Sequence, residues 1–405
     1  MTAAKTIALL LAASTLASAQ QQMRFEDVIR NLRNPDAKTR LAAIRLLRDA
    51  KYPEAIGPMA PLVGDAMDDV QLEAIGAELS FFLPDQDVRT RKMIGYVIEK
   101  RSSGVAPEAF DLGPLAVWPR PAPPELVDSL LRAIDDENPK VRLEAIYAFG
   151  IVARPPLGAE QQAALIKALD HYDPAIRSGA ARVIERHRFA GTGDALIKAV
   201  NDSHAEVRYA AMRALGALHE ERALAALTEQ LAYYKKGEGA WSALHALAQI
   251  AAPASVPVFK ERLLDKDPYM RRSAAEGLGR AGDASMIETL ERQVTTDDSA
   301  MVRVACAFAL QKLGRNYAGR IVDAMSDGKV IPQAQQYLVE LGTPFVTTLT
   351  PRLQEPDPAV RAAVADVLGA VGDASTIPVL EAVAKDGDAQ VAAAARRAIA
   401  RIHSQ

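Results

Sequence analysis

Small and apolar residues recur along most of this chain with the spacing of one face of an α-helix, and the pattern returns at intervals of roughly 31 residues. The clearest copies read DPYMRRSAAEGLGRAGDASMIETL from Asp267 and DPAVRAAVADVLGAVGDASTIPVL from Asp357. These copies lack the strict alternation that is typical of a strand. The repeated segment therefore predicts a unit of two helices joined by a turn.

Polar residues and glycines mark the ends of the two helices in a unit. In the first of these copies, Asp267 caps the first helix, and Pro268 occupies the first turn, where a missing amide hydrogen is tolerated. Gly279 and Gly282 are expected to break that helix in a turn. Asp283 is then expected to cap the second helix.

An arginine that follows an apolar residue marks the first helix of the best-preserved units. These anchor arginines are Arg142, Arg177, Arg208, Arg271, Arg303 and Arg361. Units are placed near Asp36, Asp68, Asn138, Asp173, His204, Lys236, Asp267, Ser299, Val330, Asp357 and Asp388. One helix pair cannot bury its apolar face alone, so the units are expected to stack into one continuous core.

This organisation predicts an all-α fold, an α–α superhelix (solenoid) of about 10–11 helix–turn–helix repeats. The expected divisions are a signal peptide at 1–19, N-terminal repeats at 20–101, a proline-rich insertion loop at 102–124 and a C-terminal repeat array at 125–405. Just before the insertion, 85–101 has the apolar spacing of an amphipathic helix.

The repeated core resembles HEAT repeats, most closely the short HEAT-like type named after phycobilisome lyases. The motif D-P-x-V-R-x-x-A-x-x-x-L-G followed by G-D-x-x-x-(I/V)-x-x-L carries the resemblance, which covers roughly 34–80 and 125–403. The resemblance implies a ladder in which Asp and Arg residues of successive units pair. The pairs that fit this pattern are Asp173/Arg177, Asp267/Arg271 and Asp357/Arg361. The anchor arginines are therefore expected to be structural and not to form an anion site.

The N-terminus has the three regions of a secretory signal peptide. Lys5 provides a positive charge, 7–16 is apolar, and Ala17-Ser18-Ala19 has the small-x-small pattern of a cleavage site. Cleavage is expected after Ala19, and the mature protein is expected to be periplasmic or secreted. No later segment is apolar for long enough to predict a membrane span.

Composition narrows the range of partners. The formal net charge is −3, and removal of residues 1–19 takes away Lys5 and no acidic residue. The chain therefore has no basic excess for nucleic-acid binding. Cys306 is the only cysteine, so it cannot form an internal disulfide. It occupies a small-residue position of its unit and is expected to pack between helices.

The repeat breaks at 102–124, where five prolines follow residue 113 and predict an extended loop across the solenoid. Trp118 and Arg120 in this loop are candidates for binding a partner. The alternative is a loop whose aromatic side chains cover an exposed apolar groove.

A second irregularity is YYKKGEGAW at 233–241, where Ala240 replaces the anchor arginine. Tyr233, Tyr234 and Trp241 are candidates for binding a partner, because exposed aromatic residues often anchor interfaces. The alternative is packing within half-buried helix ends.

Motifs for catalysis are missing. None of the six histidines forms H-x-x-x-H or H-E-x-x-H, and there is no phosphate loop, G-x-S-x-G or dinucleotide fingerprint. The HEAT resemblance raises two enzyme alternatives, a di-iron hydroxylase like deoxyhypusine hydroxylase and a bilin lyase. The hydroxylase needs several His-Glu pairs, whereas this chain has only His219-Glu220. An export signal disagrees with both, so no catalytic residue, cofactor or metal is expected.

The sequence thus favours an exported scaffold that contacts protein partners along an extended surface. The second helices are expected to supply a mixed-charge wall. Its residues are Lys167, Lys198, Lys260, Arg292, Arg320, Arg352, Glu229, Glu261 and Glu288.

Overall fold

The computed structural model describes residues 25–83, 105–154 and 156–404. The predicted signal peptide at 1–19 and the predicted helix at 85–101 lie outside the described residues. Within the described part of the chain, every regular element is an α-helix or a short 3₁₀ turn.

The helices follow one another with short connections. In chain order they are α1 (Phe25–Asn31), α2 (Ala37–Ala50), α3 (Ile56–Met59), α4 (Asp68–Ser80), α5 (Val105–Asp111), α6 (Pro124–Ala133), α7 (Pro139–Val152), α8 (Ala159–Ala168), α9 (Pro174–His187), α10 (Gly193–Ala199), α11 (Ala205–Ala217), α12 (Leu224–Tyr234), α13 (Gly237–Ile250), α14 (Val256–Arg262), α15 (Pro268–Ala281), α16 (Ile287–Thr296), α17 (Ala300–Lys312), α18 (Ala318–Ala324), α19 (Ile331–Leu341), α20 (Val346–Leu349), α21 (Pro358–Val371), α22 (Ile377–Val383) and α23 (Ala389–His403).

Eleven of these helices are the first helices of repeat units, which confirms the predicted solenoid. They are α2, α4, α7, α9, α11, α13, α15, α17, α19, α21 and α23. Their N-cap residues are Asp36, Met67, Asn138, Asp173, His204, Lys236, Asp267, Ser299, Val330, Asp357 and Asp388. Each cap lies within one residue of the predicted start of its unit.

The insertion interrupts the second unit between its two helices. The first helix of that unit is α4, and α6 takes the place of its second helix by packing against α7. Helices α4 and α7 also contact each other directly, so the stack continues past the insertion.

Glycine lets neighbouring first helices approach closely. A Cβ at Gly279 would lie 2.6 Å from the Cα of Ala309, and a Cβ at Gly216 would lie 2.7 Å from the Cα of Ala246. The expectation that Gly279 breaks its helix is therefore wrong, because it lies inside α15 at a helix–helix contact. The helix ends at Gly282, which adopts the left-handed conformation with φ +71°.

Cys306 is buried in the same core, with no exposed surface. Burial raises the pKa of its thiol to about 12. The side chain therefore packs between helices as a small hydrophobic group in its protonated form.

The solenoid curves so strongly that first helices two units apart touch. Arg280 on α15 donates to Glu340 on α19 at 2.8 Å, and Tyr337 on α19 donates its hydroxyl hydrogen to Glu276 on α15. We call the concave surface formed by the first helices the inner wall.

Residues 105–120, which we call the strap, cross the inside of this curve. The expectation of a loop throughout 102–124 is wrong for part of it, because the strap contains α5 and a 3₁₀ turn at Pro114–Ala116. The Glu144 carboxylate accepts from the amide of Ala106 at 2.8 Å and holds the start of α5. At its other end the strap reaches α23, where Arg397 and Arg401 donate to the Leu115 carbonyl at 3.3 and 3.1 Å.

Candidate functional site

The anchor arginines share one local arrangement. In each of seven first helices, arginine Nη1 donates to the backbone carbonyls six and five residues earlier in the preceding turn. These arginines are Arg40, Arg142, Arg177, Arg208, Arg271, Arg303 and Arg361. The guanidinium group thereby satisfies carbonyls that a turn leaves without helical partners.

Most of these arginines also reach forward to the next unit. The forward pairs are Arg40–Asp65, Arg142–Asp173, Arg177–Asp202, Arg271–Asp297 and Arg361–Asp386, at 2.7 to 2.9 Å. The contacts therefore run between units and not within the pairs Asp173/Arg177, Asp267/Arg271 and Asp357/Arg361. Burial opposes ionisation of Asp202, but its hydrogen bond from Arg177 holds the pKa below the usual value.

Two of the aromatic candidates take part in this ladder. The Tyr234 hydroxyl accepts from Arg208 Nε at 2.6 Å, and Trp241 Nε1 donates to Asp267 of the next unit at 2.7 Å. Trp241 also stacks on Tyr269, with the ring centroids 4.2 Å apart. The Tyr234 contact joins the two helices of one unit, in which Arg208 lacks an acidic partner among the described residues, and the Trp241 contact links adjacent units where Ala240 replaces the anchor arginine. Tyr233, in contrast, is 73% exposed.

Trp118 and Arg120 lie together in a different place. Both are half-buried, and both line a cleft of about 490 Å³ between the N-terminal units and α23. The Trp118 amide donates to the Phe82 carbonyl at 2.9 Å, so the strap is also tied to the end of α4. The structure does not bring these two residues together with Tyr233, Tyr234 and Trp241 in one cleft.

A cleft of about 920 Å³ lies on the inner wall beside the strap. Its sides come from the strap and from helices α9, α11, α13 and α19. Polar lining residues are Asp111, Arg182, Glu185, Arg186, Arg188, Arg213, His245, Gln249, Gln335, Gln336 and Glu340. Leu112 and Val339 add apolar surface that is 51% and 37% exposed.

The inner wall has a fixed register in the repeat. The residue nine positions after the N-cap is Arg182 on α9, Arg213 on α11, His245 on α13 and Glu276 on α15. Residues four positions earlier or later lie on the same helical face. The units of Arg182, Arg213 and His245 each contribute one short row of side chains to the cleft.

A buried polar network closes the wall next to the cleft. Glu276 is 1% exposed and accepts from Arg272 Nε at 2.8 Å and from Arg280 Nη1 at 3.2 Å. It also accepts from the Tyr337 hydroxyl, while His245 Nδ1 lies 3.6 Å from its carboxylate. Burial alone would favour the neutral acid, but Arg272, His245 and Arg280 hold the pKa of Glu276 well below its usual value.

Arg182 and Arg186 of α9 lie against the strap at the edge of the cleft. The Arg186 guanidinium lies 4.5 Å from the Phe110 ring centroid, and its Nε atom is buried without a hydrogen-bond partner in the described structure. Burial, with Arg154 and Arg182 nearby, lowers the pKa of Arg186 to about 10. Arg186 thus has no ion-pair partner among the described residues, although Asp111, Glu185 and Glu340 line the same cleft.

Groups suited to metal binding are not clustered in residues 25–83, 105–154 and 156–404, where no set of three or more His, Cys, Asp or Glu side chains could hold an ion. His219 is exposed in the turn after α11 with φ 52°. Within the same ranges, no helix is long and apolar enough to cross a membrane.

The family model for HEAT repeats matches residues 162–236, 236–311 and 322–401, which is more than half of the chain. The chain belongs to the HEAT-repeat family. No curated protein sequence matches this HEAT-repeat chain.

Solved structures similar to this HEAT-repeat chain include the complex of CpcE and CpcF of phycocyanin lyase from Nostoc sp. PCC7120, at 17% identity over 76% of this chain and 96% of that chain, with a TM-score of 0.37. The karyopherin Kap121p bound to the SUMO protease Ulp1p is similar at 13% identity over 93% of this chain and 44% of that chain, with a TM-score of 0.41. Human deoxyhypusine hydroxylase is similar at 20% identity over 69% of this chain and 96% of that chain, with a TM-score of 0.29.

Five of the nine charged residues expected on the second helices form ion pairs with charges outside that set. Lys167–Asp135, Lys198–Asp170 and Arg352–Asp323 each join a second helix to an acid that lies 28 to 32 residues earlier. Such exposed pairs add little stability.

Sequence reasoning missed the inner cleft, although the HEAT period contained a signal for it. Arg182, Arg213 and His245 replace the small or apolar residues that an inward position of a packed helix would favour. Aligning the units at their N-caps would have shown this polar row. The path of the strap had no comparable signal.

Proposed function

We propose that this protein is a non-catalytic interaction scaffold and that its main binding site for protein partners is the cleft on the inner wall. The observation that carries the proposal is the combination of exposed apolar surface at Leu112 and Val339 with the polar row at Arg213, His245 and Gln249. Apolar surface surrounded by a few convergent polar groups is typical of binding sites.

The size and shape of the cleft support a segment of a protein as its occupant. The cleft is lined by the strap and by the four helices α9, α11, α13 and α19. Extended surfaces of this kind bind through many shallow contacts. A short extended segment of a partner can therefore follow the row from one unit to the next.

We also propose that the protein acts after export from a bacterial cytoplasm, in the periplasm or outside the cell. Lys5, the apolar segment 7–16 and the Ala17-Ser18-Ala19 motif support this proposal. The test is mass spectrometry of the protein purified from the periplasm or the culture medium. We expect a mature chain that begins at Gln20, and an intact Met1 terminus in a cytoplasmic protein would contradict export.

The binding proposal is tested by site-specific photo-crosslinking in the source cell. A photoreactive amino acid is placed at Leu112 in the cleft and, as a matched control, at Glu288, which is exposed on a second helix. We expect discrete protein adducts from position 112 and weaker or no adducts from position 288. Equal adducts from both positions, or no protein adduct from position 112, would reject the cleft as the binding site.

A further inference from the structure

Glu78 is a buried acid at a core position of the repeat. It lies on α4, eleven positions after the N-cap residue Met67. The other ten first helices have an apolar residue at this register, namely Leu47, Phe149, Ile184, Leu215, Leu247, Leu278, Leu310, Leu341, Leu368 and Ile399. Glu78 is 1% exposed. Helix α4 therefore buries a carboxyl group where the other units pack an apolar side chain.

The structure supplies no partner for this carboxyl group. Both oxygens of the group are buried, and neither has a hydrogen-bond partner among the described residues. Burial raises the pKa of Glu78 well above its usual value. A buried carboxylate without a partner is costly, so the packed protein keeps this acid neutral over a wider range of pH than an exposed acid.

The charged residues described on the neighbouring elements do not provide a counter-charge for Glu78. Helix α4 packs against α2, α3, α5, α7 and the 3₁₀ turn Ala60–Gly64, and of these α3 and the turn carry no charged side chain. From α2, Arg45 and Arg48 bind Glu73 on another part of α4. On α5 and α7 the charged residues are Glu108, Asp111, Lys140, Arg142 and Glu144. None of these groups, and none of the other charged residues of α2, bonds to Glu78 or shifts its pKa.

Ionisation of Glu78 and close packing of α4 oppose each other. When α4 separates from its neighbours, Glu78 is exposed and its pKa falls to about 4.3. Between about 4.3 and the raised pKa, the packed state therefore binds more protons than the opened state. Acid favours the packed state, and the opened fraction grows as the pH rises until the pH exceeds the raised pKa.

Helix α4 lies near the N-terminal end of the solenoid, where opening can stay local. Each unit contacts mainly its neighbours, so units at an end can open while the others stay folded. Among the described residues, 25–83 contact the following helices where α4 packs against α5 and α7, and where the turn Ala60–Gly64 packs against α6. The carbonyl of Phe82, just after α4, also accepts from the amide of Trp118 in the strap at 2.9 Å. Opening at α4 would therefore release the strap at this end.

We propose that Glu78 makes the N-terminal end of the solenoid a pH-dependent joint. Helix α4 stays packed while the Glu78 carboxyl group is neutral, and it separates more readily from α7 and from the strap once this group is ionised. An apolar residue at this register, as in the other units, would have no charge to expose to water. The joint does not depend on which partner the inner cleft binds, so this inference goes beyond the proposed function.

The test is hydrogen–deuterium exchange, followed by mass spectrometry, of the unchanged protein and of Glu78→Leu at pH 5 and at pH 8. Comparing the two chains at the same pH cancels the effect of pH on the chemical rate of exchange. At pH 8 we expect amides of α4 to exchange faster in the unchanged protein than in Glu78→Leu. This ratio of rates is expected to be smaller at pH 5 by on the order of tenfold, because one bound proton changes the opening constant by up to about tenfold per pH unit.

Two further variants separate the charge of Glu78 from its shape. Glu78→Gln keeps a polar side chain that cannot ionise, so it is expected to lose the pH dependence as Glu78→Leu does. Asp69→Asn changes an exposed acid on the same helix and is expected to keep the pH dependence of the unchanged protein. Circular dichroism shows that each variant is folded.

An equal ratio of rates at pH 5 and pH 8 would overturn the inference, and so would a full pH dependence in Glu78→Gln. Amides of α15 report on a distant part of the solenoid, and their ratio is expected to change much less with pH than that of α4. If the two ratios changed equally, the opening would involve the whole molecule, and the proposed joint would be rejected.

Discussion

Glu276 and Glu78 are equally buried, each with 1% of its surface exposed, but their surroundings differ. Glu276 accepts hydrogen bonds from two arginines and a tyrosine hydroxyl. Both carboxylate oxygens of Glu78 lack a hydrogen-bond partner in the described structure, and burial raises its pKa well above the usual value. Glu276 is therefore expected to stabilise its unit, whereas Glu78 is expected to destabilise its own.

Glu276→Gln is expected to destabilise the protein by about 3–5 kcal/mol, because it leaves Arg272 without its counter-charge and Arg280 paired with Glu340 alone. Urea unfolding at pH 7 measures this loss. Glu340→Gln is the control, since Glu340 is 29% exposed and is expected to cost about 1 kcal/mol or less. Equal losses in the two variants would contradict the role of the buried network.

Glu276 also predicts a direction for the dependence of stability on pH. The pKa of Glu276 in the folded state lies below its value of about 4.3 in the unfolded state. Between these two pKa values the folded state binds fewer protons than the unfolded state. Its contribution is complete above the unfolded pKa and is lost as the pH falls through the folded pKa. Unfolding curves from pH 7 to pH 3 are expected to show a drop that is smaller in Glu276→Gln.

Glu78→Leu is expected to stabilise the protein by about 1–3 kcal/mol at pH 7, because it removes a buried acid without a partner. Because the pKa of Glu78 is raised in the folded state, the free-energy cost of burying this acid grows as the pH rises from about 4.3 towards the folded pKa. The gain should therefore shrink at pH 4. A gain at pH 4 as large as the gain at pH 7 would contradict this assignment.

Neighbouring first helices contact each other through small residues, so the spacing between units depends on a few glycines. Gly279 meets Ala309 of the next first helix, and Gly369 meets Ala398 in the same manner. In contrast, a Cβ on Gly76 inside α4 would meet nothing within 4 Å. Two glycines in equivalent secondary structure are thus expected to respond differently to the same change.

Gly279→Ala is expected to destabilise the protein by about 1–2 kcal/mol, because overpacking exceeds the gain in helix propensity. Gly76→Ala is expected to stabilise it by about 0.5–1 kcal/mol, because only the propensity changes. Chemical denaturation of both variants measures the difference. A stabilising Gly279→Ala would contradict the close contact between α15 and α17.

At the scale of the whole molecule, the strap joins parts of the chain that are far apart in sequence. It is bonded to Phe82 at one end of the array, to Arg186 in the middle and to Arg401 in the last helix. These bonds link units that do not stack on each other. The strap is therefore expected to limit how far the solenoid opens.

Arg401→Met is expected to lower the protection of the amides of strap residues 115–118 against hydrogen exchange, because it removes donors to the carbonyls of Pro114, Leu115 and Val117. Arg396→Met on the same helix is the control, since Arg396 is exposed and its side chain, among the described residues, hydrogen-bonds only to the Ala384 carbonyl. Protection of α15 should not change in either variant. Unchanged exchange at 115–118 in Arg401→Met would show that the strap is held by other contacts.

The sequence by itself determined the repeat, the starts of the first helices and the anchor arginine positions. These are local properties, since helical spacing and capping are set by residues within one turn of each other. The same local reasoning misread Gly279, because a glycine needed for close packing and a glycine that ends a helix look alike in sequence.

Only the tertiary structure decided where the inner cleft lies, how the strap runs and which partners the buried charges have. Tyr337 and Glu276 are 61 residues apart, and Arg401 and Leu115 are 286 residues apart. Such contacts depend on the curvature of the solenoid, which accumulates from a small rotation at each unit. No single unit contains that curvature, so the motif of one repeat could not predict the site.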